Sequence, residues 1–321
     1  MQPRSVHVDP YIVLGSAIVG LLVGMTGAGG GALMTPMLIL LFGVTPSTAI
    51  SSDLVAAFLM RPVGAAVHLR AGTVNLRLVR WMVIGSVPAA FLGAYLLHIL
   101  GHAKAAQHNI ETVLGVALLL GAGAMALRFL LDRRSGVKRT ARVGELHPRP
   151  LATIAIGVVG GIIVGMTSVG SGSLMIVLLL FLYPTIGANQ LVGTDLTQAV
   201  PLTLSAALGA LLFGHVAFGL TASLVIGSVP AVLVGSLLSS SVPDRYVRPV
   251  IAFVIFASGL KYAGVGTTEL GWILCGMLLV VGSAWLAHAR PWLRPRAAVV
   301  PADGAVLVQS LDDELVRDRE T

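Results

Sequence analysis

The sequence predicts an all-α fold, a polytopic transmembrane helix bundle made of two homologous halves. Three observations carry that expectation. The 321 residues are 56% hydrophobic and only 11% Asp, Glu, Lys or Arg, against roughly 25% charged residues in a soluble domain. The apolar runs last about 20 residues, the length that crosses a hydrocarbon core of roughly 30 Å. Four sequence blocks recur in the same order at an almost constant offset.

The repeat is read first, because it divides the chain. Residues 24–34 read GMTGAGGGALM and residues 165–175 read GMTSVGSGSLM, with seven of eleven positions matching at an offset of 141. At an offset of 142, SSDL at 51–54 pairs with GTDL at 193–196, GTV at 72–74 with GHV at 214–216, and IGSVPA at 84–89 with IGSVPA at 226–231.

Each half then divides into similar runs: 11–42, 48–68, 79–100 and 109–131 in the first, and 151–182, 189–213, 219–240 and 247–264 in the second. The first run of each half is too long for one untilted span, and its Gly-rich centre predicts a break into two helices. The expected organisation is a first transmembrane repeat over 1–131, a basic cytoplasmic linker over 132–149, and a second repeat over 150–265. An unpaired terminal helix over 266–290 and a polar C-terminal tail over 291–321 follow. Arg4 precedes the first apolar stretch, but no small-x-small cleavage site follows. Because that stretch recurs in the second half, it is expected to belong to the mature fold.

Net charge of +7 raises nucleic acid as a partner. The basic residues instead cluster in short loops between spans, as the positive-inside bias predicts, so no nucleic-acid binding is expected. Arg70, Arg77 and Arg80 flank one connection, whose counterpart near 214–218 holds only His215. Conversely, 241–248 holds Arg245 and Arg248, while 101–108 holds only Lys104. Equivalent loops thus prefer opposite sides, which predicts inverted repeats with the N-terminus outside and the C-terminus inside. Parallel repeats remain the alternative. Cys275 is the only cysteine. It excludes a disulfide framework and is expected to be a small packing residue.

Two Gly-rich centres are candidates for substrate binding: Gly24, Thr26, Gly29 and Gly31 in the first half, and Gly165, Thr167, Ser168, Gly170, Ser171 and Gly172 in the second. Small residues in apolar helices also serve close helix packing. A break at membrane depth adds exposed backbone N–H groups beside hydroxyls, a setting for an anion. Pro36 follows the first block, but its counterpart is Val177, so the two breaks need not match.

Glu111 and Glu269 sit at span edges, so Asp53 and Asp195 are the only acidic residues well inside apolar runs, and they are repeat partners. A charge at membrane depth costs roughly 2.5–3.5 kcal/mol on insertion scales. They are candidates for coupling or gating, alongside Gln198 one turn beyond Asp195. Capping of their own helix starts is the competing reading. Arg61 is a candidate counter-charge for an anion, with snorkelling to an interface as the alternative. It lies about 12 Å in rise from Asp53, so a direct pair is not expected. His68 and His215 read as interface residues. No HExxH or CxxC pattern is present, so no metal site and no cofactor is expected.

With its second copy GIIVGMTSVGSGSLMIVLLLF and GTDL, the stretch GLLVGMTGAGGGALMTPMLILLFGVTPSTAISSDL resembles the TauE/SafE sulfite-exporter family of membrane permeases. The likeness runs through both halves to about residue 265. It implies an inner-membrane carrier of sulfite, sulfonates or related organic anions. Ser171 stands where the first block has Gly30, so a tight-turn role there does not carry over.

The expected function is therefore a secondary transporter of a small anion, seated in a lipid bilayer. Protons or a cation would be its coupling ion, and a homo-oligomer is admissible. An anion channel or a non-transporting assembly protein are the alternatives. Enzyme activity is not expected, because the two aspartates lack the Gly-x-Gly-Asp context of intramembrane proteolysis.

Overall fold

A computed structural model of the chain describes residues 8–26, 30–101, 106–134, 148–238, 244–266 and 268–276. Among the described residues the regular elements are all α-helices. They are α1 (Pro10–Thr26), α2 (Gly31–Phe42), α3 (Pro46–Arg70), α4 (Leu76–Gly101), α5 (Ala106–Arg134), α6 (Pro150–Thr167), α7 (Leu174–Leu182), α8 (Ala188–Phe213), α9 (Phe218–Leu238) and α10 (Asp244–Tyr262). By length and composition, α3, α4, α5, α6, α8 and α9 can each cross a membrane, whereas α1, α2 and α10 are apolar but shorter. This is a multi-pass membrane protein.

Both long apolar runs are interrupted at their Gly-rich centres. The first ends α1 at Thr26 and restarts as α2 at Gly31. The second ends α6 at Thr167, where Ser168 turns left-handed at φ 59° and its N–H returns to the Val164 carbonyl. Gly170 at φ 117° and Gly172 at φ 90° continue the turn. Side chains with a Cβ rarely adopt such angles, so two glycines two residues apart set the path into α7.

Helix packing follows the glycines. Along α4 and α6, a Cβ on Gly93 would stand 2.5 Å from the Ile162 carbonyl, and one on Gly157 would stand 2.5 Å from that of Met82. Along α1 and α9, Gly20 abuts the Ser228 carbonyl, and Gly24 abuts that of Val232. In both pairs the numbers rise together, so the partners run parallel. Lipid offers no hydrophobic drive between helices, so close backbone approach supplies the attraction. The pairings cross between halves: α1 packs on α9, and α6 on α4. α3 packs against α8 with Ser51 near Gly214 and His68 near Gly193, an antiparallel arrangement. α5 and α10 are antiparallel too, with Gly115 at Tyr262 and Gly259 at Leu119.

This interlacing explains why residues 1–270 form one compact unit instead of one per half. α5 extends to Arg134, so the first residues of the expected linker are helical. Residues 135–147 of that linker, and the tail over 291–321, lie outside the described residues. The second unit, 271–321, is described only over 271–276. Cys275 is exposed there, against the expectation of a packed residue. Among the described residues neither buried core cluster extends past Tyr262, so Cys275 has no core to join. The expected terminal helix over 266–290 is helical over 268–276, and the rest lies outside the described residues.

One prediction arises from the packing. At Gly161 a Cβ would meet the Ser86 carbonyl oxygen at 2.6 Å and its Cα at 2.9 Å, whereas at Gly123 nothing lies within 4 Å. Gly161→Leu is expected to lower the thermal unfolding midpoint in detergent by several degrees, since overpacking costs about 1–3 kcal/mol. Gly123→Leu should leave that midpoint where it is.

Candidate functional site

The antiparallel crossing of α3 and α8 brings both Asp elements into the protein interior. Asp53 and Asp195 are each 1% exposed, and Ser52, Thr194 and Gln198 are fully buried. Each Asp is the eighth residue of its helix, counted from Pro46 and from Ala188. That is two turns past the start, so neither caps its own first turn.

The residue before each Asp caps a helix of the other half. Ser52 Oγ accepts the Ala217 N–H at 3.1 Å, just ahead of α9. Thr194 Oγ1 accepts the Asn75 N–H at 3.1 Å, just ahead of α4. These matching cross-half bonds pin the starts of α9 and α4, the fourth helix of each half, to the opposite Asp element. Thr194→Val would leave a buried N–H unmet, at a cost of about 1–3 kcal/mol. A lowered unfolding midpoint, with Thr194→Ser retaining most of the native value, is the expected result.

The carboxylates differ in their neighbours. Asp53 Oδ2 accepts the Thr35 hydroxyl of α2 at 2.8 Å. The counterpart of Thr35 is Ile176, whose side chain carries no hydroxyl. The Ser168 hydroxyl lies beside the Asp53 carboxylate without forming a well-shaped hydrogen bond to it. Near Asp195, Gln198 Nε2 donates to Ser86 Oγ of α4 at 2.7 Å.

Arg61 is 5% exposed, so it does not snorkel to an interface. Its guanidinium interacts electrostatically with Asp195 and, less strongly, with Asp53. The dominant partner is in the other half because α3 and α8 cross with Gly64 against Leu196. An Asp–Arg–Asp group therefore spans the repeat interface.

The two breaks meet directly. Gly31, the first residue of α2, lies against the backbone carbonyl of Ser168 so closely that no Cβ fits between them. Ser168, Ser171 and Ser173 are 1%, 3% and 6% exposed. Their hydroxyls have no hydrogen-bond partner among the described residues. The N-caps of α2 and α7, Gly30 and Ser173, make no side-chain cap bond. The junction and the buried cation are linked through one carboxylate: Gly31 touches Ser168, Ser168 lies beside Asp53, and Asp53 interacts with Arg61.

Other expected binding residues serve the scaffold. Gly24 and Gly165 are the contact glycines facing α9 and α4. The Thr167 hydroxyl donates to the Ile163 carbonyl at 2.6 Å, so it finishes α6. The Thr26 side chain and Gly29 lie outside the described residues. Thr35 and Ser51 are polar interior residues that the sequence does not single out. The Ser51–Ser52–Asp53 triplet was a legible signal, whereas the reach of Thr35 from α2 was not.

The model of the family described as Sulfite exporter TauE/SafE matches residues 12–262. The chain belongs to the TauE/SafE family. The match begins in α1 and ends with α10, so all ten helices belong to the TauE/SafE region. Among similar proteins of Bacillus subtilis (strain 168), the probable membrane transporter protein YjnA is 41% identical over 251 residues, covering 78% of this chain and 98% of its own length. The probable membrane transporter protein YdhB is 23% identical, with 78% of this chain and 98% of its own covered. The probable membrane transporter protein YunE is 25% identical, with 79% and 97% covered. No solved structure matches the chain. As a TauE/SafE protein with these relatives, the chain is a membrane transporter.

Proposed function

We propose that the chain is a secondary transporter that moves a small anion, namely sulfite, a sulfonate or a related organic acid, across the cytoplasmic membrane. The observation that carries this reading is the contact of Gly31 with the Ser168 backbone, which joins two helix breaks around buried polar groups. Helix N-termini carry partial positive charge, and uncapped ones in a low-dielectric interior favour a bound anion. Arg61 adds a full positive charge. Asp53 and Asp195 act in coupling or gating, because an ionised pair beside Arg61 leaves the group net negative and opposes an incoming anion. Proton uptake on either carboxylate removes that opposition. We read the halves as inverted repeats, a reading supported by the antiparallel courses of α3 against α8 and of α5 against α10. Alternating access then rocks one set of helices against the other around the junction. The basic linker and the tail lie on the cytoplasmic side in this reading.

Flux of sulfite and methanesulfonate into proteoliposomes under an imposed pH gradient tests the proposal. Native protein is expected to need the gradient, and Asp53→Asn and Asp195→Asn to lose most of the flux. Flux indifferent to both substitutions would reduce the aspartates to structural residues. No flux of any anion would remove the anion reading.

A further inference from the structure

The Arg61 guanidinium leaves one specific edge open. Nε and Nη2 are buried and have no hydrogen-bond partner among the described residues. These two nitrogens present parallel N–H groups on the same side of the guanidinium, the fork that takes two oxygens of one oxyanion. A buried charged donor left unmet is expensive, and two adjacent ones on a side chain 5% exposed are unusual for a purely structural arginine. Were Arg61 only the cation between Asp53 and Asp195, its fork would be expected on a carboxylate.

The repeat partner of Arg61 gives the contrast. Thr203 is uncharged, and its hydroxyl is spent within α8 on the Ala199 carbonyl at 2.7 Å. The two-half architecture therefore holds one fork rather than two. Ser168, whose hydroxyl has no hydrogen-bond partner among the described residues, lies beside Asp53, one of the two carboxylates that Arg61 interacts with.

We propose that the Nε–Nη2 edge of Arg61 is the specificity-determining contact of the site. It selects anions with two or more oxygens on one central atom, such as sulfonate, sulfite or carboxylate, over monatomic anions, and binds one per chain. This rests on the anion-transport reading above and deepens it. A halide placed at the same edge gains charge but cannot pair each N–H with its own oxygen. Arg61→Lys keeps the charge and loses the fork, so it should separate the two contributions.

Calorimetric titration of the full chain in detergent with sulfite, methanesulfonate, acetate, chloride and bromide tests the inference. The three oxyanions are expected to bind native protein at about one per chain, at least roughly tenfold more tightly than the halides. Arg61→Lys is expected to weaken the oxyanions by about ten- to a hundredfold and to leave the halides nearly unchanged. Chloride binding as tightly as methanesulfonate, or native sulfite affinity in Arg61→Lys, would overturn the fork while leaving anion transport standing. No binding of any anion to native protein would sink both. Where Arg61→Lys is not monodisperse on size exclusion, the anion series on native protein decides alone.

Discussion

Gly31→Ala is expected to abolish transport while leaving the protein inserted and helical. The added Cβ has no room, since it would fall on the Ser168 carbonyl. That obstacle is backbone, held by the left-handed turn at Ser168, and no side chain can swing aside. Overpacking costs about 1–3 kcal/mol where neighbours can shift, and here the shift must part the two breaks. The outer pairs α1–α9 and α4–α6 do not depend on this contact. A near-native unfolding midpoint with anion flux reduced at least roughly tenfold is therefore expected. Gly123→Ala, with open space around its Cβ, serves as the matched control for both readouts. Native flux in Gly31→Ala would show that the junction is packing alone.

The second large effect concerns the buried charges. Asp195→Asn removes the stronger electrostatic partner of Arg61, and Arg61→Met leaves two carboxylates without their cation. Breaking a buried charged group by removing one member costs about 3–5 kcal/mol, because the remainder stays buried and uncompensated. Each single substitution should lower the unfolding midpoint markedly. The double substitution Arg61→Met with Asp195→Asn should lower it by less than the two losses added together, since it retires interacting charges together. Strict additivity in that cycle would mean that the two groups do not interact.

Much of the architecture was legible in the sequence because membranes restrict what a chain can do. With backbone groups obliged to pair internally, a 20-residue apolar run is a helix, and a Gly-rich centre in a 30-residue run is a break. The GMT blocks located both breaks, and the isolated aspartates marked the polar interior. What stayed hidden depended on register between distant segments. Asp195 comes within electrostatic reach of Arg61 only because α3 and α8 cross antiparallel. Thr35 reached Asp53 only because α2 folds back onto α3. Gly24 and Gly165 looked like members of the breaks because they adjoin them in sequence. One helical turn before each break, their faces point to α9 and α4 instead. Ser52 and Thr194 looked like companions of the aspartates, yet their hydroxyls hold helix starts in the opposite half. A linear reading sees spacing along one chain, and the Thr194 and Ser52 bonds join residues 119 and 165 positions apart.

The central claim is a carrier whose anion site is the junction of the two breaks. It is tested most directly by exchange in proteoliposomes. Vesicles are loaded with labelled sulfite, and efflux is followed with and without unlabelled sulfite outside. The account predicts saturable efflux that external sulfite accelerates, with both the flux and the acceleration lost in Gly31→Ala and retained in Gly123→Ala. Efflux that matches protein-free vesicles, or acceleration that survives Gly31→Ala, would contradict it.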